Sequence, residues 1–117
     1  MPEKSAHRKV KNRDAGKTGI REYVLPSRRR LDAMSSTGIA TEVERGGRPA
    51  IRRAISRLKE AMDSGVARKA RLRVQHAELT VAEQEMRRRH LGGEVTNLGG
   101  TTKKHVPKRR RRPLRGG

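Results

Sequence analysis

The run Arg28-Arg29-Arg30-Leu31-Asp32-Ala33-Met34, Ser35-Ser36-Thr37-Gly38, Ile39-Ala40-Thr41-Glu42-Val43-Glu44-Arg45 decides the fold. Four turn-forming residues separate two segments of strand length, so it reads as a β-hairpin. In the second segment Ile39, Thr41 and Val43 alternate with Ala40, Glu42 and Glu44, and the two sets leave opposite faces. Gly46-Gly47 then breaks the strand, and Pro49 stands where a first helical turn tolerates proline. From there Ile51, Ile55, Leu58 and Met62 recur at helical spacing, with Arg52, Arg53, Arg57, Lys59 and Glu60 elsewhere, until Gly65 supplies a stop.

Outward from this centre the pattern continues. Ile20 to Leu25 reads as a short strand closed by Pro26. Arg71 to Leu79 reads as a fourth strand, with His76 packed on the side of Leu72 and Val74. Thr80 with Glu83 forms a capping box for a second helix from Val81 to His90. The order strand, strand, strand, helix, strand, helix implies an α/β fold with a small mixed sheet.

Charge divides the chain into three stretches. Residues 1–19 carry six cations and two acids without apolar periodicity, and read as a flexible basic arm. Residues 20–91 hold 15 of the 20 Leu, Ile and Val residues and form the core domain. Residues 92–117 open with Gly92-Gly93, repeat Gly99-Gly100 and carry Lys103, Lys104, Lys108, Arg109, Arg110, Arg111 and Arg112, so they read as a disordered basic tail. A core this thin leaves room for a bound polyanion, a partner chain or a homodimer to complete it.

The chain has 117 residues and a formal net charge of +19. With no cysteine, it has neither a disulfide framework nor a cysteine zinc site. No apolar run approaches the roughly 18 residues of a membrane span, and residues 1–19 contain no apolar signal core. Tyr23 is the one aromatic residue, which argues against single-strand binding by ring stacking. A soluble intracellular protein is expected, cytoplasmic or nucleoid-associated, or nuclear in a eukaryote. Its expected partner is DNA or RNA rather than a membrane, held by phosphate contacts from Arg28, Arg29, Arg30, Arg52, Arg53 and Arg57 and from the two arms.

One constellation carries possible chemistry. Glu42 and Glu44 share a face; a three-residue loop Ser36-Thr37-Gly38 would set Asp32 directly opposite Glu42, whereas a two-residue loop would put Thr41 opposite Asp32 and loosen the triad. Carboxylates gathered in so basic a chain suggest a bound cation, and Mg²⁺ with its oxygen ligands fits that role beside a substrate phosphate. The alternative is a set of half-exposed salt bridges to arginines such as Arg30 opposite Glu44, or Arg28, Arg45 and Arg48.

The stretch from Leu25 to Met34, the short turn, and Ala40-Thr41-Glu42-Val43-Glu44-Arg45 resemble the active-site hairpin of the PD-(D/E)XK restriction-endonuclease-like superfamily, over residues 20–79. The resemblance implies a metal-dependent endonuclease, with Asp32 and Glu42 on Mg²⁺. It puts Glu44 in the place the family usually gives to a lysine near the attacking water. Arg45 points to the other face, the family's N-terminal helix has no counterpart, and Glu22 is a weak stand-in for its extra carboxylate. The competing expectation is a non-catalytic basic protein or ribonucleoprotein component that binds nucleic acid without cutting it.

Overall fold

The computed structural model describes residues 19–107. Strands β1 (Ile20–Val24), β2 (Arg30–Met34) and β3 (Ile39–Glu44) form an antiparallel meander. Helix α1 (Arg48–Asp63) crosses to β4 (Lys69–Val74), which lies parallel to β3. Helix α2 (Leu79–Arg88) crosses to β5 (Gly93–Asn97), parallel to β4, and β6 (Lys103–Val106) returns antiparallel. The sheet is mixed and six-stranded, in the order β1-β2-β3-β4-β5-β6.

Both crossovers step in the same direction, so right-handed connections place α1 and α2 on one face. Ala40, Leu72, Val95 and Val106 from the strands meet Ile55, Leu58 and Met86 from the helices there. The loop of the central hairpin has three residues. The Ser35 amide donates to Ile39 O at 2.9 Å, and Gly38 takes φ +87°, where a side chain would be strained.

The sheet extends beyond the expected core. Residues 93–106, expected in the disordered tail, form β5 and β6, with Val95 and Val106 buried in the core. Gly93 is no chain breaker. A Cβ on it would lie 2.4 Å from Ala70 O, so a glycine lets β5 come close to β4. The Asn97 side chain closes the β5–β6 connection, accepting from the amides of Thr101 at 2.9 Å and Thr102 at 3.2 Å.

Several boundaries also move. Strand β2 begins at Arg30 because residues 25–29 form a turn, with Arg28 at φ +73°. Strand β4 stops at Val74, where Gln75 donates to Arg45 O at 2.8 Å; His76 then lies exposed in a 3₁₀ turn (His76–Glu78) rather than packed on the core. Helix α2 begins at Leu79, drawn into the core. Thr80 is therefore inside it, and no side-chain capping bond forms. The expected arm 1–19 and Lys108 to Arg112 lie outside the described residues, Gly19 apart.

Candidate functional site

The hairpin register sets Asp32 against Glu42. Ala33 pairs with Thr41 and Met34 with Ala40, and one step further lies the acid pair. There side chains take over from backbone. The Asp32 amide donates to Glu42 Oε2 at 2.8 Å, and the Val43 amide donates to Asp32 Oδ2 at 2.7 Å. Each carboxylate thus satisfies a main-chain donor, as a sheet interior requires. Glu44 turns back to its own loop, accepting the Gly46 amide at 2.8 Å.

Parallel pairing with β4 decides which face the acids occupy. Ala40, Glu42 and Glu44 stand level with Ala70, Leu72 and Val74, the row that packs under the helices. Glu42 is accordingly 2% exposed. Arg57 of α1 reaches down to it, with Nη1 at 2.8 Å from Oε1. Burial, and then the Asp32 charge, push the Glu42 carboxyl up to about 8; the Arg57 hydrogen bond, the Asp32 amide and the Arg57 charge oppose them. Burial works against the charge of Arg57. The Glu42 hydrogen bond, then the charges of Glu42, Asp32 and Glu44, outweigh it and raise the guanidinium above its ordinary value.

Three acids therefore act on one cationic centre, and that centre is a guanidinium. The pairing is with Arg57, not Arg30, which is exposed and forms no ion pair among the described residues. As folded, both Glu42 oxygens are already engaged. One Glu42 oxygen holds Arg57 and the other an amide, and among the described residues no group of three or more His, Cys, Asp or Glu is placed to hold a metal. Glu22 lies on edge strand β1, exposed.

The expected phosphate-contacting residues fall into two groups. Arg28, Arg30 and Arg53 are exposed. Arg29, Arg52 and Arg57 are engaged within the fold. Arg29 bonds Glu60 at 2.7 Å and Ser56 Oγ at 2.9 Å. Hydrogen bonds from the Ser27 hydroxyl and amide, and then from Arg29, hold Glu60 below the usual carboxylate range. Lys103 and Lys104 alternate on β6: Lys103 is exposed, 3.8 Å from Glu94, while Lys104 shares the helix-side row of Val95.

A second ionic centre was not anticipated. Glu85 of α2 is fully buried and gathers Arg48 at 2.5 Å, Arg52 at 3.3 Å and Arg89 at 3.8 Å. Burial pushes its carboxyl up, but the Arg52 guanidinium beside it and Arg48, which donates a hydrogen bond, hold it below the ordinary range. The signal in the sequence is its place on the stripe Leu79, Ala82 and Met86, where a carboxylate is buried only if paired. The three guanidiniums are about 40% exposed, so one acid fixes three cations at the surface.

Among the described residues no helix is long and apolar enough to cross a membrane. Comparison of the chain with protein-family models, with curated proteins and with solved structures finds no match in any of the three.

Proposed function

We propose that this protein binds nucleic acid through the phosphate backbone, with the Arg48–Arg52–Arg89 cluster as its fixed anchor. The observation that carries the reading is the charge imbalance there: three half-exposed guanidiniums converge on one buried carboxylate, which leaves two positive charges uncompensated. Glu85 holds the side chains in place before a ligand arrives, so less rotamer entropy is lost on binding. Guanidinium forks match phosphate oxygens. Arg48 and Arg52 also stand at the start of α1, whose first turn contains no acid, so the helix dipole adds to the field. Exposed Arg53 and the net charge of +19 extend the attraction without sequence readout.

The test is the affinity of the full chain for random-sequence duplex DNA and single-stranded RNA between 50 and 200 mM salt. The expected logarithmic plot is linear and steep, with a loss of roughly 10³-fold or more across that range. A flat plot overturns the reading.

A second reading, a Mg²⁺-dependent phosphodiesterase with Asp32, Glu42 and Glu44 at its centre, is favoured by the convergence of these acids and by the raised pKa of Glu42. This reading also draws on the order strand, strand, strand, helix, strand, on which the restriction-endonuclease-like resemblance rests. This reading requires Arg57 to leave Glu42. Metal-dependent cutting of plasmid DNA or RNA that disappears in Asp32→Ala and in Glu42→Ala supports it; tight binding without cutting supports the non-catalytic reading.

A further inference from the structure

Where the parallel strands begin, away from both ionic centres, the fold forms an open pocket of about 490 Å³. That size suits a small-molecule ligand. Ile39, Met62, Ala70, Leu91 and Val106 form its apolar lining. Lys59, Arg68, Lys69 and Arg71 stand around it with His90 and His105, against the two acids Asp63 and Glu94. Lys59 lies 3.8 Å from Asp63 and Arg71 3.5 Å from Glu94, so these acids are already partnered. Arg68 and Lys69 are exposed and form no ion pair among the described residues.

The mouth is held in shape. Gly38 O accepts the amides of Arg68 at 2.7 Å and Lys69 at 3.2 Å. The Arg68 stem also packs against Gly38, where an added Cβ would lie 3.1 Å from Cγ. The end of α1 contributes little negative field, because amides of Ser64, Gly65 and Ala67 cap the carbonyls of Glu60, Met62 and Ala61.

An apolar bed, surplus cations at a fixed mouth, and imidazoles able to meet ring nitrogens suit a flat heterocycle that carries a phosphate. We propose that this cavity seats one unpaired nucleotide of a nucleic-acid strand, with the base on the apolar lining and its phosphate on Arg68 and Lys69. The proposal rests on the nucleic-acid reading above and names the part of the strand that is read. The chain's one aromatic is Tyr23, so the base would rest on the aliphatic lining rather than on a ring.

The decisive measurement compares the full chain on two duplexes of equal length and charge, one fully paired and one with a single unpaired nucleotide. The expected preference for the unpaired form is about tenfold, the scale of one seated base. In Met62→Trp, which fills the bed, that preference disappears while affinity for the paired duplex stays within twofold. Amide spectra of the unaltered protein with adenosine 5′-monophosphate add a readout that needs no variant, with shifts expected at Ala70, Gly92 and Gly93. Equal affinity for both duplexes overturns the cavity proposal and leaves the phosphate reading standing. Mononucleotide binding at these amides without duplex preference also overturns it, in favour of a free nucleotide. Failure to bind either duplex at low salt overturns the parent reading as well.

Discussion

Removing the Arg57 guanidinium while keeping an apolar stem, as in Arg57→Met, exposes the energetics of the acid cluster. In the unaltered protein the Glu42 carboxyl titrates near 8 when folded and near 4.5 when unfolded. Between those values the folded state keeps a proton that the unfolded chain has released, so rising pH favours unfolding. The stabilising contribution is complete below about pH 4.5 and gone above about pH 8. At about 1.4 kcal/mol per pH unit the ceiling is about 5 kcal/mol; solvent reaching past Arg57, 31% exposed, brings the expectation to roughly 2–4 kcal/mol. Arg57→Met removes a hydrogen bond and a charge that favour ionised Glu42, so the carboxyl rises further. At pH 9 the variant must bury an unpaired carboxylate or protonate it at a cost, a loss of about 3–4 kcal/mol. At pH 5.5 Glu42 is protonated in both proteins, and the loss shrinks to about 1 kcal/mol, one hydrogen bond. Urea unfolding at pH 5.5, 7 and 9 measures this, and subtracting a Glu42→Gln profile removes the titration of all other groups. A loss of equal size at pH 5.5 and pH 9 refutes the reasoning, because it means that Glu42 is ionised throughout.

Other outcomes follow from single contacts. Glu85→Gln is expected to cost about 2–3 kcal/mol at pH 7, since three arginines lose their shared acid; because its pKa is lowered, this contribution fades as pH falls below about 4.5, which acid titration of the unfolding midpoint checks. Gly93→Ala should cost about 3 kcal/mol or more and speed amide exchange across β5 and β6, because its Cβ would collide with Ala70 O. Gly65→Ala, at φ +81° in open space, should cost only about 1 kcal/mol. Leu58→Ala, at a fully buried site, should lower stability by about 2–5 kcal/mol by urea titration.

The hairpin and first helix were legible because two local signals agree at each. The turn formers Ser35 to Gly38 place the hairpin, although a two-residue loop is as readable as the three-residue one that the Ser35–Ile39 bond fixes, and Ile51, Ile55 and Leu58 form a stripe that Pro49 and Gly65 bracket. Strands β5 and β6 were not legible. Each contributes one Leu, Ile or Val, Val95 or Val106, and their pairing rests on Gly93, whose role is to let two backbones approach. A glycine read locally signals a break; only the neighbouring strand shows it to be a contact. His76 failed for a related reason, since alternation past Val74 cannot reveal that Gln75 is tied to Arg45 O.

The acid site was half legible, and the missing half changes its chemistry. One of two readable turn lengths places Asp32 against Glu42, the one that the structure adopts, and strand alternation places Glu44 on the same side. Neither says whether that side faces water. The answer comes from the crossovers: β3-α1-β4 and β4-α2-β5 advance in one direction, so both helices cover the face that carries Ala40, Glu42 and Glu44. A carboxylate committed to that face must find a donor from the covering helix, and Arg57, next to the buried Leu58, is in reach. The same residue that makes the buried acid tolerable holds the Glu42 oxygen that a metal ion would also need. A hydrolytic role for Asp32 and Glu42 would therefore require release of Arg57, whereas the proposed phosphate binding at the Glu85 cluster would not.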